Sequence, residues 1–191
     1  MLFRSKVNMA FFPPRHGMEN DKYYREGAKF ICFAGTSNPL SNWHSISFTV
    51  DIGDGVYRKY SSSEQALIYG KVVFACRDSE IAKQILDTND VKKIKDLGQK
   101  ATKFNEQKWD KIKYDLMVNI LIAKFAQNAN IRNILLATDD KVLIENAPWD
   151  SIWGIGNSPN ATEDPKTWNG TNLLGYSLME TRKFLLPYHT V

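Results

Sequence analysis

The chain has 191 residues, 43% of them hydrophobic, and a formal net charge of +4, which suits one domain with a buried core. Two cysteines and three scattered histidines provide neither a disulfide framework nor a metal-ligand spacing, and no apolar run reaches the roughly 18 residues of a membrane span. We therefore expect a reduced intracellular protein, in the cytoplasm, without a metal or a membrane partner.

The sequence predicts an N-terminal extension followed by one domain. Residues 1–28 are assigned to an N-terminal extension and residues 29–191 to the domain. The first 15 residues are basic and apolar, but Pro13-Pro14 stops any helix there. We expect a flexible leader, and an organelle-targeting role for this basic segment remains an alternative.

Short strands come first in the predicted domain. Residues 29–34, with the sequence K-F-I-C-F-A, predict a strand. Residues 47–50 and 56–60 flank Asp54-Gly55, a turn signal typical of a β-hairpin. A first helix then begins near Ser61.

Helical spacing predicts most of the remaining elements. Helices are expected over 79–86, 91–97, 108–127, 130–137 and 176–186, with a short strand over 141–145. Residues 146–175 are rich in Trp, Gly, Asn, Pro and Asp and predict a long irregular segment. Such segments are often functional.

The positive charge is concentrated in one stretch. Residues 90–113 contain eight lysines and four acids, which accounts for the whole net charge. A solvated helical surface is one interpretation. The other is a basic face that attracts phosphates or nucleic acid.

Glu64 and Lys71 stand out in the first helix. They are seven residues apart, so they project in nearly the same direction, about 10 Å apart along the axis. Ser61 and Glu64 also match a capping box, in which the glutamate only stabilises the helix start. Lys71, beside apolar residues, could keep its amine in water, or it could be a desolvated nucleophile.

Two turn-rich segments combine tryptophan with polar side chains and glycine. Residues 148–156 read P-W-D-S-I-W-G-I-G, and residues 168–175 read W-N-G-T-N-L-L-G. Glycine lets a backbone approach a ligand closely, and an indole ring offers a stacking surface. Capped turns with tryptophans in the core are the alternative.

Eight short motifs, in this order, resemble one known family. They are Leu40-Ser41-Asn42-Trp43, Ser63-Glu64-Gln65 with Lys71, Met117 with Lys124-Phe125-x-Gln127-Asn128, Leu135-Leu136-x-Thr138, Leu143-x-Glu145, Asp150-x-x-Trp153-Gly154-Ile155-Gly156, Trp168-x-Gly170-x-Asn172-x-Leu174-Gly175 and Leu178-Met179-x-x-Arg182. Each motif is weak alone, but their shared order from about residue 30 to 186 is specific. The chain resembles the YbiA-like, or NADAR, family.

The resemblance implies a single compact α+β domain, mainly α-helical, with a few short strands. It also implies N-glycosidase chemistry on ribosylated bases. Some members cleave phosphoribosylamino-pyrimidine intermediates of riboflavin synthesis, and others remove ADP-ribose from modified guanine in nucleic acid. The family's catalytic pair corresponds to Glu64 and Lys71. The substrate-binding positions correspond to Asn42, Trp43, Asp150, Trp153, Gly154, Asn172 and Arg182.

Three features bear on the substrate. Riboflavin-linked members have His at the position of Gln65 and can carry an acid at that of Ile155, and the loop around Trp168 resembles the ADP-ribose-handling branch. We therefore expect removal of ADP-ribose from guanine in nucleic acid. The alternatives are hydrolysis of the riboflavin intermediates and a non-catalytic module that binds ADP-ribose or a nucleotide.

The implied mechanism uses two side chains and no cofactor. Lys71 would attack ribose C1 and form a Schiff base, and Glu64 would move the protons. Lys124 is a second candidate for the reacting lysine. The remaining expected contacts are hydrogen bonds to the ribose or base from Asn42, Asp150 and Asn172, stacking by Trp43 or Trp153, and phosphate binding or an ion pair by Arg182.

Overall fold

A computed structural model describes residues 25–158 and 160–186 of the chain. The predicted leader therefore lies outside the described residues except for its last four. Among those four, β1 (Arg25–Glu26) pairs antiparallel with β2 (Phe30–Phe33). The Arg25 guanidinium also donates to the carbonyl oxygen of Ala161 at 2.9 Å.

Two small sheets carry the described strands. β2 is the central strand of the first sheet, and its other edge pairs in parallel with β5 (Val142–Glu145). The second sheet is the predicted hairpin of β3 (Phe48–Asp51) and β4 (Tyr57–Tyr60). Its turn is held by the Asp51 carboxylate, which accepts backbone N–H bonds from the turn residues.

Six α-helices surround these sheets in the described part of the chain. They are α1 (Ser63–Lys71), α2 (Ser79–Leu86), α3 (Val91–Lys100), α4 (Glu106–Gln127), α5 (Ala129–Leu136) and α6 (Leu173–Leu185). A π-helical segment, Val72–Cys76, continues α1, and a 3₁₀ turn, Pro165–Thr167, lies in the long irregular segment. The fold is therefore α+β and mainly helical, as the resemblance implied.

Two glycines permit close approaches that position the helices. The helix predicted over 91–97 is longer in the structure, since α3 continues to Lys100. Gly98 lies within it, at a position where a Cβ would be 2.5 Å from the Ile68 side chain. Gly98 is therefore a contact point between α3 and α1. At Gly175 a Cβ would collide with the carbonyl oxygen of Leu143, so glycine lets α6 pack directly on β5.

Most of the core lies between α1, α4 and α6. Buried side chains of α4, including Met117, Ile120 and Leu121, contact both neighbouring helices, and burial of this apolar area is the main stabilising contribution. None of the helices among residues 25–158 and 160–186 is both long and apolar enough to cross a membrane.

Candidate active site

The start of α1 leaves the Glu64 carboxylate free of any capping role. Ser62 is the N-cap, and its hydroxyl accepts the Gln65 N–H at 3.1 Å. The side-chain oxygen of Gln65, rather than that of Glu64, reaches back to the Ser61 N–H at 2.7 Å. The capping box predicted from Ser61 and Glu64 is thus formed one residue later.

Gln65 and Ile155, the two departures from the riboflavin-linked pattern, both serve the interior. The amide of Gln65 donates to the carbonyl oxygens of Ile85 and Thr88, which ties the start of α1 to the end of α2. Ile155 is fully buried and packs in a small cluster with Cys32 and Ile144. Gln65 is therefore held by hydrogen bonds and Ile155 by packing, so each has a structural role inside the fold.

Glu64 lies in a cluster of charged side chains. Its side chain is nearly buried, with 8% exposed, and its N–H donates to the carbonyl oxygen of Asn42 at 3.0 Å. The pKa of Glu64 is raised to about 7, mainly by burial; the charges of Lys95 and Lys71 oppose this rise, and that of Asp150 adds to it. Such a carboxyl group can donate or accept a proton near neutral pH.

Lys71 lies at the junction between the α-helical and π-helical parts of its helix. It is half-buried, and its amine stands 4.8 Å from the centroid of the Phe104 ring. Phe104 is 44% exposed, so one side of this aromatic ring remains open to solvent. The amine is therefore held against an aromatic surface at the edge of the cluster, where a ligand can reach it.

The turn before the hairpin brings Asn42 and Trp43 to Glu64. The Asn42 side-chain oxygen is buried and receives no hydrogen bond from the residues that the structure describes. Such an acceptor costs free energy when left unpaired, and a ligand hydroxyl would satisfy it. Trp43 is half-buried, and the Lys95 amine stands 5.2 Å from its ring centroid.

Lys124 supports this turn from inside the protein. Its side chain is fully buried, and its amine donates to the carbonyl oxygens of Pro39 and Ser41, both at 3.0 Å. Burial lowers the pKa of Lys124 to about 7, and the charge of Glu145 opposes that shift. Because both contacts lie inside the fold, Lys124 orders the turn that carries Asn42 and does not face a substrate as the reacting lysine.

The substitution Lys124→Met is expected to remove a pH dependence of stability. The pKa of Lys124 is about 7 when folded and near 10.5 when unfolded, so between these values the unfolded chain binds more protons and stability rises with pH. Because of this group, the free energy of unfolding of the wild type should rise by about 2 kcal/mol between pH 7 and 9. Urea unfolding at both pH values measures the gain.

The exposed Lys100 provides the control for this experiment. Lys100→Met removes a lysine from the surface and should leave the wild-type pH slope unchanged. A Lys124→Met protein whose stability rises as steeply as wild type would contradict the assignment.

The loop after β5 brings Asp150 toward Glu64. One carboxylate oxygen of Asp150 accepts the N–H groups of Ile152 and Trp153, which closes a tight turn. The indole of Trp153 is half-buried and packs against the main core. At Gly154 a Cβ would lie 2.9 Å from the carbonyl oxygens of Asp150 and Glu145, so the glycine is required by the turn itself.

Two predicted substrate-binding residues are used elsewhere in the fold. The Asn172 amide accepts the Glu145 N–H and donates to the Leu143 carbonyl oxygen, which joins β5 to the start of α6. The Arg182 guanidinium donates to the Thr138 hydroxyl at 2.6 Å and to the Lys141 carbonyl oxygen at 3.0 Å. The structure therefore groups Asn42, Trp43, Glu64, Lys71 and Asp150, and it leaves these two outside the group.

Lys95 and Phe104 join the group although the motifs did not include them. Lys95 lies at the edge of the buried face of α3, and Phe104 lies in the loop between α3 and α4. Their sequence signal is only that of a basic amphipathic helix and an exposed aromatic side chain. Their role becomes visible only when α3 packs against α1.

Two other features of the described residues do not form a competing site. A cleft of about 400 Å³, lined by Arg58, Tyr69 and Arg77 among others, does not include the Glu64 cluster. Among residues 25–158 and 160–186, no group of three or more His, Cys, Asp or Glu side chains could hold a metal ion. The charged cluster around Glu64 is therefore the candidate active site.

The sequence matches a family model described as the NADAR domain over residues 30–186. The chain is 33% identical over 174 residues to a protein of Acanthamoeba polyphaga mimivirus that is named as an N-glycosidase, and the match covers 87% of this chain and 98% of the viral one. It is also 36% identical over 89 residues to the N-glycosidase YbiA of Escherichia coli, and that match spans about half of each chain, 47% and 50%.

A solved structure has a similar fold. The NMR structure of the E. coli protein YbiA superimposes with a TM-score of 0.67 and 26% sequence identity. The superposition covers 88% of this chain and 91% of the other. The likeness therefore extends over nearly the whole domain and includes the elements that carry the candidate site.

Proposed function

Because the chain belongs to the NADAR family and its relatives are named as N-glycosidases, it is an N-glycosidase, and we propose that it removes ADP-ribose from ADP-ribosylated guanine in nucleic acid. The bond broken joins ribose C1 to the exocyclic amine of the guanine ring. The observation that carries this proposal is the grouping of a nearly buried Glu64, whose pKa is about 7, with Lys71 and Asp150.

The first step forms a covalent bond to the sugar. An N-glycoside of this kind can open its ribose ring to an imine. The Lys71 amine attacks C1 of that imine. The Nζ–C1 bond forms as the π pair of the C1–nitrogen double bond moves to the base nitrogen, which takes a proton from the attacking amine. The bond between C1 and the base nitrogen then breaks, and its electron pair stays on the nitrogen, which takes a proton from Glu64. The products are a Schiff base between Lys71 and the sugar, and a nucleic acid whose guanine has regained its unmodified amine.

The second step releases the sugar. Glu64, now ionised, accepts a proton from a water molecule, and the oxygen adds to C1 of the Schiff base. This adduct then collapses: Glu64 donates its proton to Nζ as the Nζ–C1 bond breaks, and the hydroxyl proton of the adduct returns to Glu64, which leaves the free amine, protonated Glu64 and ADP-ribose. The unpaired side-chain oxygen of Asn42 accepts a ribose hydroxyl, and the Trp43 ring stacks on the base.

A basic surface beside the site favours a polymeric substrate. This basic surface consists of the exposed lysines of α3 and the adjoining segment, namely Lys92, Lys93, Lys100, Lys103, Lys108 and Lys111. Helix α3 also carries Lys95, so the positive charge extends from the cluster around Glu64 along the helix. A polyanion gains from such an extended surface, whereas a small metabolite contacts only the cluster.

The test is a mass-spectrometric turnover assay with two substrates offered side by side. One is an ADP-ribosyl-guanine oligonucleotide, and the other is the phosphoribosylamino-pyrimidine. We expect free ADP-ribose from the oligonucleotide, at a rate that falls as salt is added because the contacts are with phosphates. The double variant Lys92→Gln, Lys93→Gln should show a weaker salt dependence.

Three outcomes would overturn parts of this proposal. Turnover of the pyrimidine alone would make the protein a hydrolase of riboflavin-pathway intermediates. Binding of ADP-ribose without any turnover would make it a binding module. Turnover of the oligonucleotide that does not change with salt would leave the basic surface as ordinary solvated surface.

A further inference from the structure

The proposed substrate carries phosphate near the ribose, and the cation that the motifs assign to it is already occupied. Arg182 is 7% exposed, and its guanidinium donates to the Thr138 hydroxyl and to a main-chain carbonyl. Moving it to a ligand would leave those buried acceptors without a donor. The phosphate therefore requires a different positive side chain.

Lys95 meets the geometric requirement for that role. It belongs to α3, its amine lies 5.2 Å from the centroid of the Trp43 ring, and its charge acts on Glu64. Among the charged groups that act on Glu64, Lys95 has the strongest effect. Its amine is thus close both to the expected stacking surface and to the proton-transferring carboxyl group.

The present partner of Lys95 is one that an anion can replace. The Lys95 side chain is half-buried, and a cation above an aromatic face at such a site gains little free energy. A charge-assisted hydrogen bond to a phosphate oxygen is stronger. The long flexible stem of lysine allows its amine to move several ångströms while the α3 backbone stays in place.

We propose that Lys95 binds the phosphate group attached to the substrate ribose, and that in doing so it leaves the ring face of Trp43 for the base. This inference rests on the proposed function for the class of substrate, a phosphorylated ribosyl group. It accounts both for the need of a cation near the phosphate and for the position of the Lys95 amine over the Trp43 ring. One face of the ring cannot hold an ammonium group and a base at the same time. Lys95 would then couple phosphate binding to base stacking.

The test follows the indole N–H signals of the ¹⁵N-labelled protein by NMR. The chain has five tryptophans, and the Trp43 signal is identified as the one that disappears in Trp43→Phe. Ribose 5-phosphate, ADP-ribose and unphosphorylated ribose are titrated separately. We expect the Trp43 signal to move with both phosphorylated ligands and to remain unchanged with ribose.

Variants then locate the phosphate contact. Lys95→Gln should weaken the binding of ribose 5-phosphate and ADP-ribose by about tenfold or more, the loss typical of a hydrogen bond to a charged group. Lys95→Arg, which keeps the charge, should recover part of the affinity. Lys183→Gln is the matched control, because it removes the same charge from an exposed position on α6, outside the basic surface.

Several results would overturn the proposal. They are a Trp43 signal that does not respond to either phosphorylated ligand, Lys95→Gln binding within about twofold of wild type, or an equal loss in Lys183→Gln. The titration measures binding and requires no turnover. Its result therefore does not depend on whether the protein catalyses the proposed reaction. A protein that binds these ligands through Lys95 but hydrolyses neither substrate would retain the phosphate site and lose the proposed reaction.

Discussion

Replacing Glu64 by glutamine is expected to lower kcat by roughly a hundredfold to ten-thousandfold, the usual contribution of a general acid and base. The glutamine has nearly the same shape, so the Trp43 side of the site should still bind ADP-ribose. The part of the wild-type pH–rate profile that comes from titration of Glu64 near pH 7 should also be absent from this variant, because its amide cannot exchange that proton. Single-turnover rates between pH 5 and 9 measure both effects.

A stability measurement checks the same assignment without a substrate. The pKa of Glu64 is about 7 in the folded protein and about 4.5 when unfolded, so between these values the folded protein binds more protons. The contribution of Glu64 to stability is therefore fully present at low pH and is lost as pH rises through 7. Urea unfolding should show this loss in wild type and its absence in Glu64→Gln.

Glu106 supplies the control for both measurements, since it is an exposed acid in the first turn of α4. Glu106→Gln should keep the wild-type rate and the wild-type pH slope. If Glu64→Gln retained more than about a tenth of the wild-type kcat, the general-acid role would be untenable.

Replacing Lys71 by alanine is expected to abolish both turnover and a covalent adduct. Borohydride reduces a Schiff base to a stable amine, so wild type treated during turnover should gain the mass of the reduced sugar on one lysine. Lys71→Ala should show no such adduct, and its rate should fall by several orders of magnitude, as happens when a nucleophile is removed. Intact-mass and peptide-mass spectrometry locate the modified residue.

Two further variants separate chemistry from charge and folding. Lys71→Arg keeps a positive group beside the Phe104 ring but cannot form the Schiff base, so it should also lack the adduct. Lys100→Ala removes an exposed lysine of α3 and should keep the adduct. An adduct that persists in Lys71→Ala would exclude Lys71 as the nucleophile.

Local sequence signals predicted elements well where the decisive interactions were also local. The hairpin around Asp54-Gly55 and the helix capped by Asp78 are both present, because turn and capping hydrogen bonds join residues only a few positions apart. The capping register at Ser61 and Glu64 was wrong by one residue. Either of two adjacent serines could serve as the cap, and the choice depends on where Gln65 finds its distant partners, Ile85 and Thr88.

The membership of the candidate site depended on contacts between distant segments. Lys95 reaches Trp43 only because Gly98 lets α3 pack closely against α1, and no local pattern encodes that distance. Conversely, Arg182 matched a family motif, yet its guanidinium is used to fix the turn before β5. Spacing therefore identified Glu64 and Lys71 as the candidate pair but could not assign the charged and polar groups around them.

The parallel pairing of β2 with β5 determines when the protein can fold during its synthesis. Phe30 pairs with Val142, so the ribosome must add roughly a hundred residues after Phe30 before the partner strand exists. Closing so large a loop costs chain entropy before the strand contacts repay it, and a slow folding step is the expected result. A nascent chain that ends before β5 already contains Glu64 and Lys71, but it lacks the loop that carries Asp150. The candidate active site is thus assembled only after most of the chain has left the ribosome.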